Sequence, residues 1–381
     1  ILAVAWHNQG QLDQAETIYR KVLTVDADNF YALNFCGCIQ RENKRFEEGI
    51  VLLSRAVTLQ PGSPDARYNL GNVFKDAERW DEAISCYEKA LDLMAEYPEA
   101  LNNLGICLKE VERYDQSEIV LKRAVSMQPG FAGAWLNLGN TFKGQEKSEQ
   151  AIESYQKAVE EKPDFADGYF ALGIAFKEQY RFEEAIASYS KAVEVKPDFA
   201  DAYFALGYAF KEQDRFEEAI ASYRKAIEVK PDFADAYFIL GSILIKRARI
   251  LDALDLLHEG DLCCDNSPKV KYLLGALLLS QSKAEEGTLF QQEAFAIDSS
   301  YGKKVDGFSL RSETPELFWK SHHSTEEFHL GYWRQNPLRK KLASVICSFG
   351  AINSVMECGC NVGGNLAAIN ALNDSIKLKG I

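Results

Sequence analysis

A repeat at every 34 positions constrains this chain more than any other feature of its sequence. Segments 166–199 and 200–233 align without a gap and differ at five of 34 positions: Gly168/Ala202, Ile174/Tyr208, Tyr180/Asp214, Ser190/Arg224 and Val193/Ile227. Glycine returns at the same interval at Gly37, Gly71, Gly105, Gly139, Gly173, Gly207, Gly241 and Gly275. Eight full units therefore run over 30–301, after a partial unit over 1–29. A fixed period of this length describes a stack of like units that bury their faces on one another, not a single central core.

The chemistry of one unit is readable. In 200–233, Tyr203, Leu206, Gly207 and Phe210 recur at i, i+3, i+4 and i+7, and Ala219, Ile220, Tyr223, Ala226 and Ile227 form a second apolar stripe. Each unit is thus expected to be two amphipathic helices. Gly207 and Ala219 are small where the stripes face each other, which lets the axes approach, with aromatic rings filling the flanks. Asp214-Arg215 falls in the turn between the helices. Pro231 lacks an amide donor and stops the second helix. Asp232 and Asp235 are expected to help start the next one.

The pattern Trp135, Leu138, Gly139, Phe142, then Ala151 and Tyr155, then Pro163, resembles the tetratricopeptide-repeat signature. The resemblance implies a mainly α fold, a right-handed α-solenoid of helical hairpins over 1–301. Departures gather near its end: Gly260, Asp265, Gly287, Gln291 and Ser299 replace the usual residues, and imply fraying or capping toward Tyr301. Ala95 also stands where proline is usual.

Composition narrows the function. Of 381 residues, 47% are hydrophobic and 26% charged, which suits a folded chain rather than a disordered one. The net charge of -13 repels phosphate backbones and anionic lipid, so neither nucleic acid nor membrane is an expected partner. The apolar run from Val270 to Leu279 is half a bilayer span and contains Lys271. No secretory leader is visible, which makes the cytoplasm the expected location; the start at Ile1 suggests a fragment. The pairs Cys36/Cys38 and Cys358/Cys360 are separated by a single residue, unlike structural zinc ligands, so free thiols and no metal site are expected. His322, His323 and His329 lack an identifiable carboxylate or cysteine partner, and no catalytic residue is assigned.

One helical face carries the binding expectation. Asn69, Asn72, Asn103, Asn137 and Asn140 flank the repeat glycines, and five successive units place Lys75, Lys109, Lys143, Lys177 and Lys211 at one position. Carboxamides both donate to and accept from an extended peptide, and a lysine row holds acidic side chains. Farther along, the analogous positions become Phe170, Phe204, Phe238 and Tyr272, with Ile174 and Tyr208 beside them. The alternative is that the asparagines serve helix packing and the lysines pair with neighbours such as Glu178 and Glu212. The asparagine row resembles the repeat region of the O-linked N-acetylglucosamine transferase family, which implies that these amides hold a substrate backbone. A clamp for a terminal carboxylate would need basic residues where Gly133 and Asn137 stand.

The period ends after Tyr301. Residues 302–336 read as a linker or lead-in, and 337–381 as the start of an α/β Rossmann-like domain. In the latter, Leu338, Leu342 and Phe349 mark a helix, Ser354 to Cys358 a strand, Asn365 to Leu372 a second helix, and Ile376 to Ile381 a second strand. The turn between, Glu357-x-Gly359-x-Asn361-x-Gly363, resembles motif I of class I S-adenosylmethionine-dependent methyltransferases. Phe318-Trp319-Lys320 through Tyr332-Trp333 is similar to the aromatic lead-in of some of them. The resemblance implies S-adenosylmethionine held by Glu357, Gly359, Asn361 and Gly363; another nucleotide-binding fold or an accidental match is the alternative. The chain stops before the acidic residue that would take the ribose, so weak cofactor binding and no catalysis are expected of it.

The expected function is an interaction scaffold that holds a peptide or protein in its groove and is tethered in its parent to a methyltransferase. The alternatives are a methyltransferase whose repeats position the substrate, and a parent resembling the repeat-bearing glycosyltransferase. The methyl acceptor, the partner's identity and the oligomeric state are not legible in the sequence.

Overall fold

The computed structural model describes residues 9–298. Helices begin in two series that keep the interval of the sequence repeat. After α1 (Leu12–Val25), the first helices of the units are α2 (Phe30–Glu42), α4 (Pro64–Asp76), α6 (Pro98–Glu110), α8 (Ala132–Gly144), α10 (Ala166–Glu178), α12 (Ala200–Glu212), α14 (Ala234–Lys246) and α16 (Pro268–Ser280). The second helices are α3 (Phe46–Leu59), α5 (Trp80–Leu93), α7 (Tyr114–Met127), α9 (Ser148–Glu161), α11 (Phe182–Val195), α13 (Phe216–Val229), α15 (Ile250–Cys263) and α17 (Ala284–Ile297). No strand lies among the described residues. The lead-in 302–336 and the expected α/β segment 337–381 lie outside them. Two compact units divide the chain, Ile1–Ala219 and Ile220–Ile381.

In the first unit, apolar contacts run from repeat to repeat. One cluster joins Leu53, Leu70, Val73, Phe74, Ile84, Tyr87, Leu104 and Leu108, which belong to three successive repeats. Burial of this kind makes stability a sum over neighbouring interfaces. The sequence expectation that small residues face each other holds: a β-carbon at Gly49 would lie 3.2 Å from the Gly37 carbonyl, and Ser117 Oγ donates to the Gly105 carbonyl at 2.7 Å. The repeat glycine also seats a large side chain of the second helix: a β-carbon at Gly173 would lie 2.5 Å from Tyr189 Cε1 and one at Gly71 2.8 Å from Tyr87 Cε1, whereas Gly37 and Gly105 face Leu53 and Leu121.

The starts of the first helices also differ from expectation. Asn29 and Ser63 cap α2 and α4 by accepting from Ala32 N and Ala66 N at 3.1 and 3.2 Å. In the first helices from α6 to α14 the cap position holds Tyr97, Phe131, Phe165, Phe199 and Phe233, with no side-chain cap, so Asp232 and Asp235 do not cap α14, although Asp235 lies in its first turn. Lysines lie over three of these rings, Lys162 on Phe165, Lys196 on Phe199 and Lys230 on Phe233, at 4.7–5.2 Å. Ala95 leaves no mark on the register: α5 ends at Leu93 as α9 ends at Glu161 before Pro163, and the Ala95 carbonyl accepts from Arg123 Nη2 at 2.6 Å.

Each turn between paired helices turns on a left-handed residue that is not glycine. Lys44, Glu78, Glu112, Glu146, Tyr180, Asp214, Ala248 and Ser282 have φ between 56° and 64°. The next amide closes the helix end, Arg45 N on Gln40 O and Arg79 N on Phe74 O at 2.8 Å, the arrangement that satisfies orphan carbonyls. Ala248 is exposed and brings no polar group to offset the left-handed cost. Ala248→Gly is therefore expected to stabilise the second unit by about 0.5–1 kcal/mol, measured as a shift in urea midpoint.

A charge node ties two repeats. Glu118 accepts from Lys122 at 2.7 Å and from Lys147 of the next repeat at 3.0 Å, and both ammonium groups lie over the Phe142 ring. The hydrogen bond from Lys122 dominates over partial burial, which acts the other way, and with that from Lys147 holds the Glu118 carboxyl down to about 2. A carboxyl so lowered contributes stability above about pH 4.3, its unfolded value, and loses it as the pH falls toward 2. Glu118→Gln is expected to flatten the fall in melting temperature between pH 4.5 and 2.5.

The second unit explains two of the sequence departures near the end of the repeats, Gly260 and Gly287. Gly260 stands where alanine is usual because Tyr237 is fully buried against it: a β-carbon there would meet Tyr237 Cγ at 2.8 Å. Gly287 and Gly275 bring α16 and α17 close, a β-carbon at Gly287 lying 2.8 Å from the Gly275 carbonyl. Lys271, interrupting the apolar run, is paired with Asp261 and Glu293 at 2.8 and 2.7 Å. Gly260 and Gly287 are packing solutions, and helix continues to Ile297; Tyr301, toward which fraying or capping is expected, lies outside the described residues.

Candidate functional site

The asparagines form a relay between first helices. Asn69 Nδ2 donates to Asn34 Oδ1 at 3.2 Å, joining α4 to α2. Asn103 Nδ2 donates to Asn72 Oδ1 at 2.9 Å and to Tyr68 Oη at 3.2 Å, joining α6 to α4. Asn102 Nδ2 donates to Asn103 Oδ1 at 3.2 Å, and Asn137 Nδ2 on α8 donates to Asn102 Oδ1 at 2.8 Å. Amides in series polarise one another, so the relay from Asn72 through Asn103 and Asn102 to Asn137 couples three repeats along one face, and the Asn69–Asn34 bond adds a separate link to α2.

Beneath it, the buried tyrosines need acceptors. Tyr87 Oη donates to Asn72 Oδ1 at 2.7 Å and Tyr155 Oη to Asn140 Oδ1 at 2.8 Å. In the repeat where Ile174 takes that position, the Tyr189 hydroxyl is buried with no partner. Burial pushes all three phenols well up.

The structure therefore brings Asn72, Asn103 and Asn137 together through hydrogen bonds that run by way of Asn102, and pairs Asn69 with Asn34 and Asn140 with Tyr155, in line with the packing alternative. It also leaves them capacity. Asn69, Asn103, Asn137 and Asn140 are half-buried, and among the described residues Asn69 Oδ1, Asn137 Oδ1 and Asn140 Nδ2 take no partner. The sequence reading missed Asn34, Asn102 and Tyr68. The signal was present: all three occupy one repeat phase, the position directly before Asn69 and Asn103.

The lysine row is mostly neutralised. Lys75 pairs with Asp76 at 3.4 Å, Lys109 with Glu110 at 2.5 Å, Lys143 with Glu178 at 2.7 Å and Lys211 with Glu212 at 2.8 Å. Arg41, in the same phase one repeat earlier, reaches Asp76 at 3.5 Å. Lys177 has no carboxylate partner among the described residues and lies 5.9 Å from the Tyr208 ring. A uniform lysine ladder is thus replaced by alternating charge.

In the aromatic stretch of the first unit, Phe170 and Phe204 are half-buried, and Phe170 packs on Tyr189 and Phe199 at 5.8 and 4.9 Å. In the second unit Phe238 is half-buried, whereas Tyr272 is buried in the core and is removed from the expected face. Glu357, Gly359, Asn361 and Gly363 lie outside the described residues. The described cysteines are free, and burial pushes the Cys107 thiol up to about 12 and Cys38 and Cys86 to about 11. No described helix is long and apolar enough to cross a membrane.

Three family models match. A TPR repeat model matches residues 139–179, 175–214 and 207–246, and two tetratricopeptide repeat models match 62–129 and 2–29. No curated protein matches the chain. Among solved structures, the chain is similar to MamA at 26% identity, over 44% of this chain and 97% of that one, with a TM-score of 0.40. It is similar to YrrB, described as a TPR protein with an unusual peptide-binding site, at 22% identity over 48% and 95%, with a TM-score of 0.40. It is also similar to pilF of Pseudomonas aeruginosa at 20% identity over 58% and 94%, with a TM-score of 0.46.

Proposed function

We propose, from the premise that this chain carries tetratricopeptide repeats, that it is a scaffold holding an extended peptide or protein segment along the face of α4, α6, α8 and α10. One observation carries the reading: half-buried Asn69, Asn137 and Asn140 keep unpaired carboxamide atoms, two acceptors and one donor, while their other amide atoms are held by Asn34, Asn102 and Tyr155. A peptide backbone offers the complementary alternation of N–H and C=O. These hydrogen bonds hold the amides in place, which lowers the ordering cost of binding.

Binding to a peptide array is the test. Asn69→Ala and Asn137→Ala are each expected to weaken bound peptides about fivefold, the effect of one hydrogen bond. Unchanged binding by both variants rules the face out.

We infer further that the parent tethers this scaffold to an S-adenosylmethionine-dependent methyltransferase and acts in the cytoplasm. The support is the Glu357, Gly359, Asn361 and Gly363 pattern in a strand-turn-helix sequence. Calorimetry of the full-length parent with S-adenosylmethionine tests it; heat of binding lost in Glu357→Gln supports the tether, and no heat in the parent removes it.

A further inference from the structure

Neutralisation of the lysine row is uneven, and its exception lies beside the apolar part of the face. Lys177 is the member with no carboxylate among the described residues, whereas Lys75, Lys109, Lys143 and Lys211 each hold one. Its ammonium lies 5.9 Å from the Tyr208 ring, and Lys211 covers the same ring at 4.8 Å. Contact between Lys177 on α10 and Tyr208 on α12 makes the two helix faces continuous.

The pattern on each helix is the same. Phe170, Ile174 and Lys177 stand at i, i+4 and i+7 on α10, and Phe204, Tyr208 and Lys211 at i, i+4 and i+7 on α12. Phe170, Ile174 and Phe204 are half-buried and Tyr208 is 37% exposed. The carboxamides have gone from this stretch: Ala171 and Ala205 occupy the phase of Asn69, and Ile174 and Tyr208 that of Asn72. A backbone reader has given way to a surface suited to side chains.

We propose that this α10/α12 patch is a side-chain subsite for an extended peptide bearing an apolar residue with an Asp or Glu one or two residues away. The proposal rests on the peptide-binding reading above and names the ligand class for one part of that face. The apolar side chain covers Ile174 and Tyr208, and the carboxylate takes Lys177. Ile174 and Lys177 are three residues apart on a helix, a rise of about 4.5 Å. An extended chain advances about 3.3 Å per residue, which sets the spacing at one or two. Lys211 is already paired with Glu212, so the patch takes one acidic group, not a cluster.

Fluorescence polarisation on the full chain separates the possibilities. The probes are fluorescein-labelled dodecapeptides of Gly, Ser, Asn and Gln carrying Leu-Ser-Asp, Leu-Ser-Lys or Ser-Ser-Asp. The chain is expected to bind Leu-Ser-Asp at least fivefold more tightly than either other probe, from one partly desolvated ion pair and one covered apolar side chain. Lys177→Gln is expected to erase the Asp-over-Lys preference, while Lys177→Arg keeps it, and Tyr208→Ala to weaken the leucine probes only. Lys177 has no ion pair to lose, so Lys177→Gln keeps the parent melting temperature. A preference that survives Lys177→Gln, or none in the unaltered chain, overturns the subsite. If probes bind without preference yet weaken in Asn137→Ala, the subsite falls and the peptide-binding reading stands. If no probe binds, both fall.

Discussion

Gly139→Ala is expected to destabilise the chain by about 2 kcal/mol through overpacking, although alanine is the better helix former. A β-carbon there would lie 2.6 Å from Tyr155 Cδ1 and 3.0 Å from Cζ. The ring cannot retreat: Tyr155 is 1% exposed, and its hydroxyl is held by Asn140 at 2.8 Å. Overpacking of this kind costs about 3 kcal/mol at the upper end, against a propensity gain of about 1 kcal/mol. The same helix supplies the control. At Gly133 a β-carbon would meet Phe131 Cε2 at 3.4 Å, an ordinary contact, so Gly133→Ala is expected to stabilise by up to about 1 kcal/mol. In a Tyr155→Ala background, itself costing about 3–5 kcal/mol, Gly139→Ala loses its penalty. Hydrogen exchange of α8 and α9 reads each effect where it arises. Equal effects at Gly139 and Gly133 would refute the glycine seat.

Asn72→Ala carries the second large effect, about 2–3 kcal/mol, from lost and stranded hydrogen bonds. Asn72 is 5% exposed and accepts from both Tyr87 Oη and Asn103 Nδ2. Its loss strands a buried phenol, which costs about 1–3 kcal/mol, and breaks the relay between α4 and α6. Tyr189 makes the converse case, since its hydroxyl has no acceptor. Tyr189→Phe is therefore expected to be neutral or to stabilise by about 1 kcal/mol, whereas Tyr87→Phe destabilises. Urea denaturation followed by tryptophan fluorescence distinguishes the pair; a destabilised Tyr189→Phe would show that its hydroxyl is satisfied.

The repeat boundaries were legible because one chemical signal, a glycine on the first helix against a large side chain on the second, recurs at a fixed interval. Both helix series follow from it. What the glycine does was only half legible: a pattern shows that position 139 is small, but not that Tyr155 is seated there. The left-handed turn residues were hidden because they share no side-chain type; Lys44, Tyr180 and Ala248 adopt one φ for a backbone reason. Gly260 looked like decay of the repeat until Tyr237 was found against it. On the face, the asparagines were visible as residue types, but hydrogen-bond partners one repeat away are not, so Asn34 and Asn102 went unread. The lysines repeat in sequence, whereas their charge state depends on which carboxylate each reaches. That dependence separates Lys177 from the rest.

The central claim is that a ligand lies along the first helices rather than the second. Photocrosslinking tests it most directly, with a benzophenone-bearing peptide from the array bound to the full chain and the adducts mapped by mass spectrometry. Adducts are expected on α4, α6, α8 and α10, reduced in Asn137→Ala. Adducts confined to α5, α7, α9 and α11, unchanged in Asn137→Ala, would contradict it.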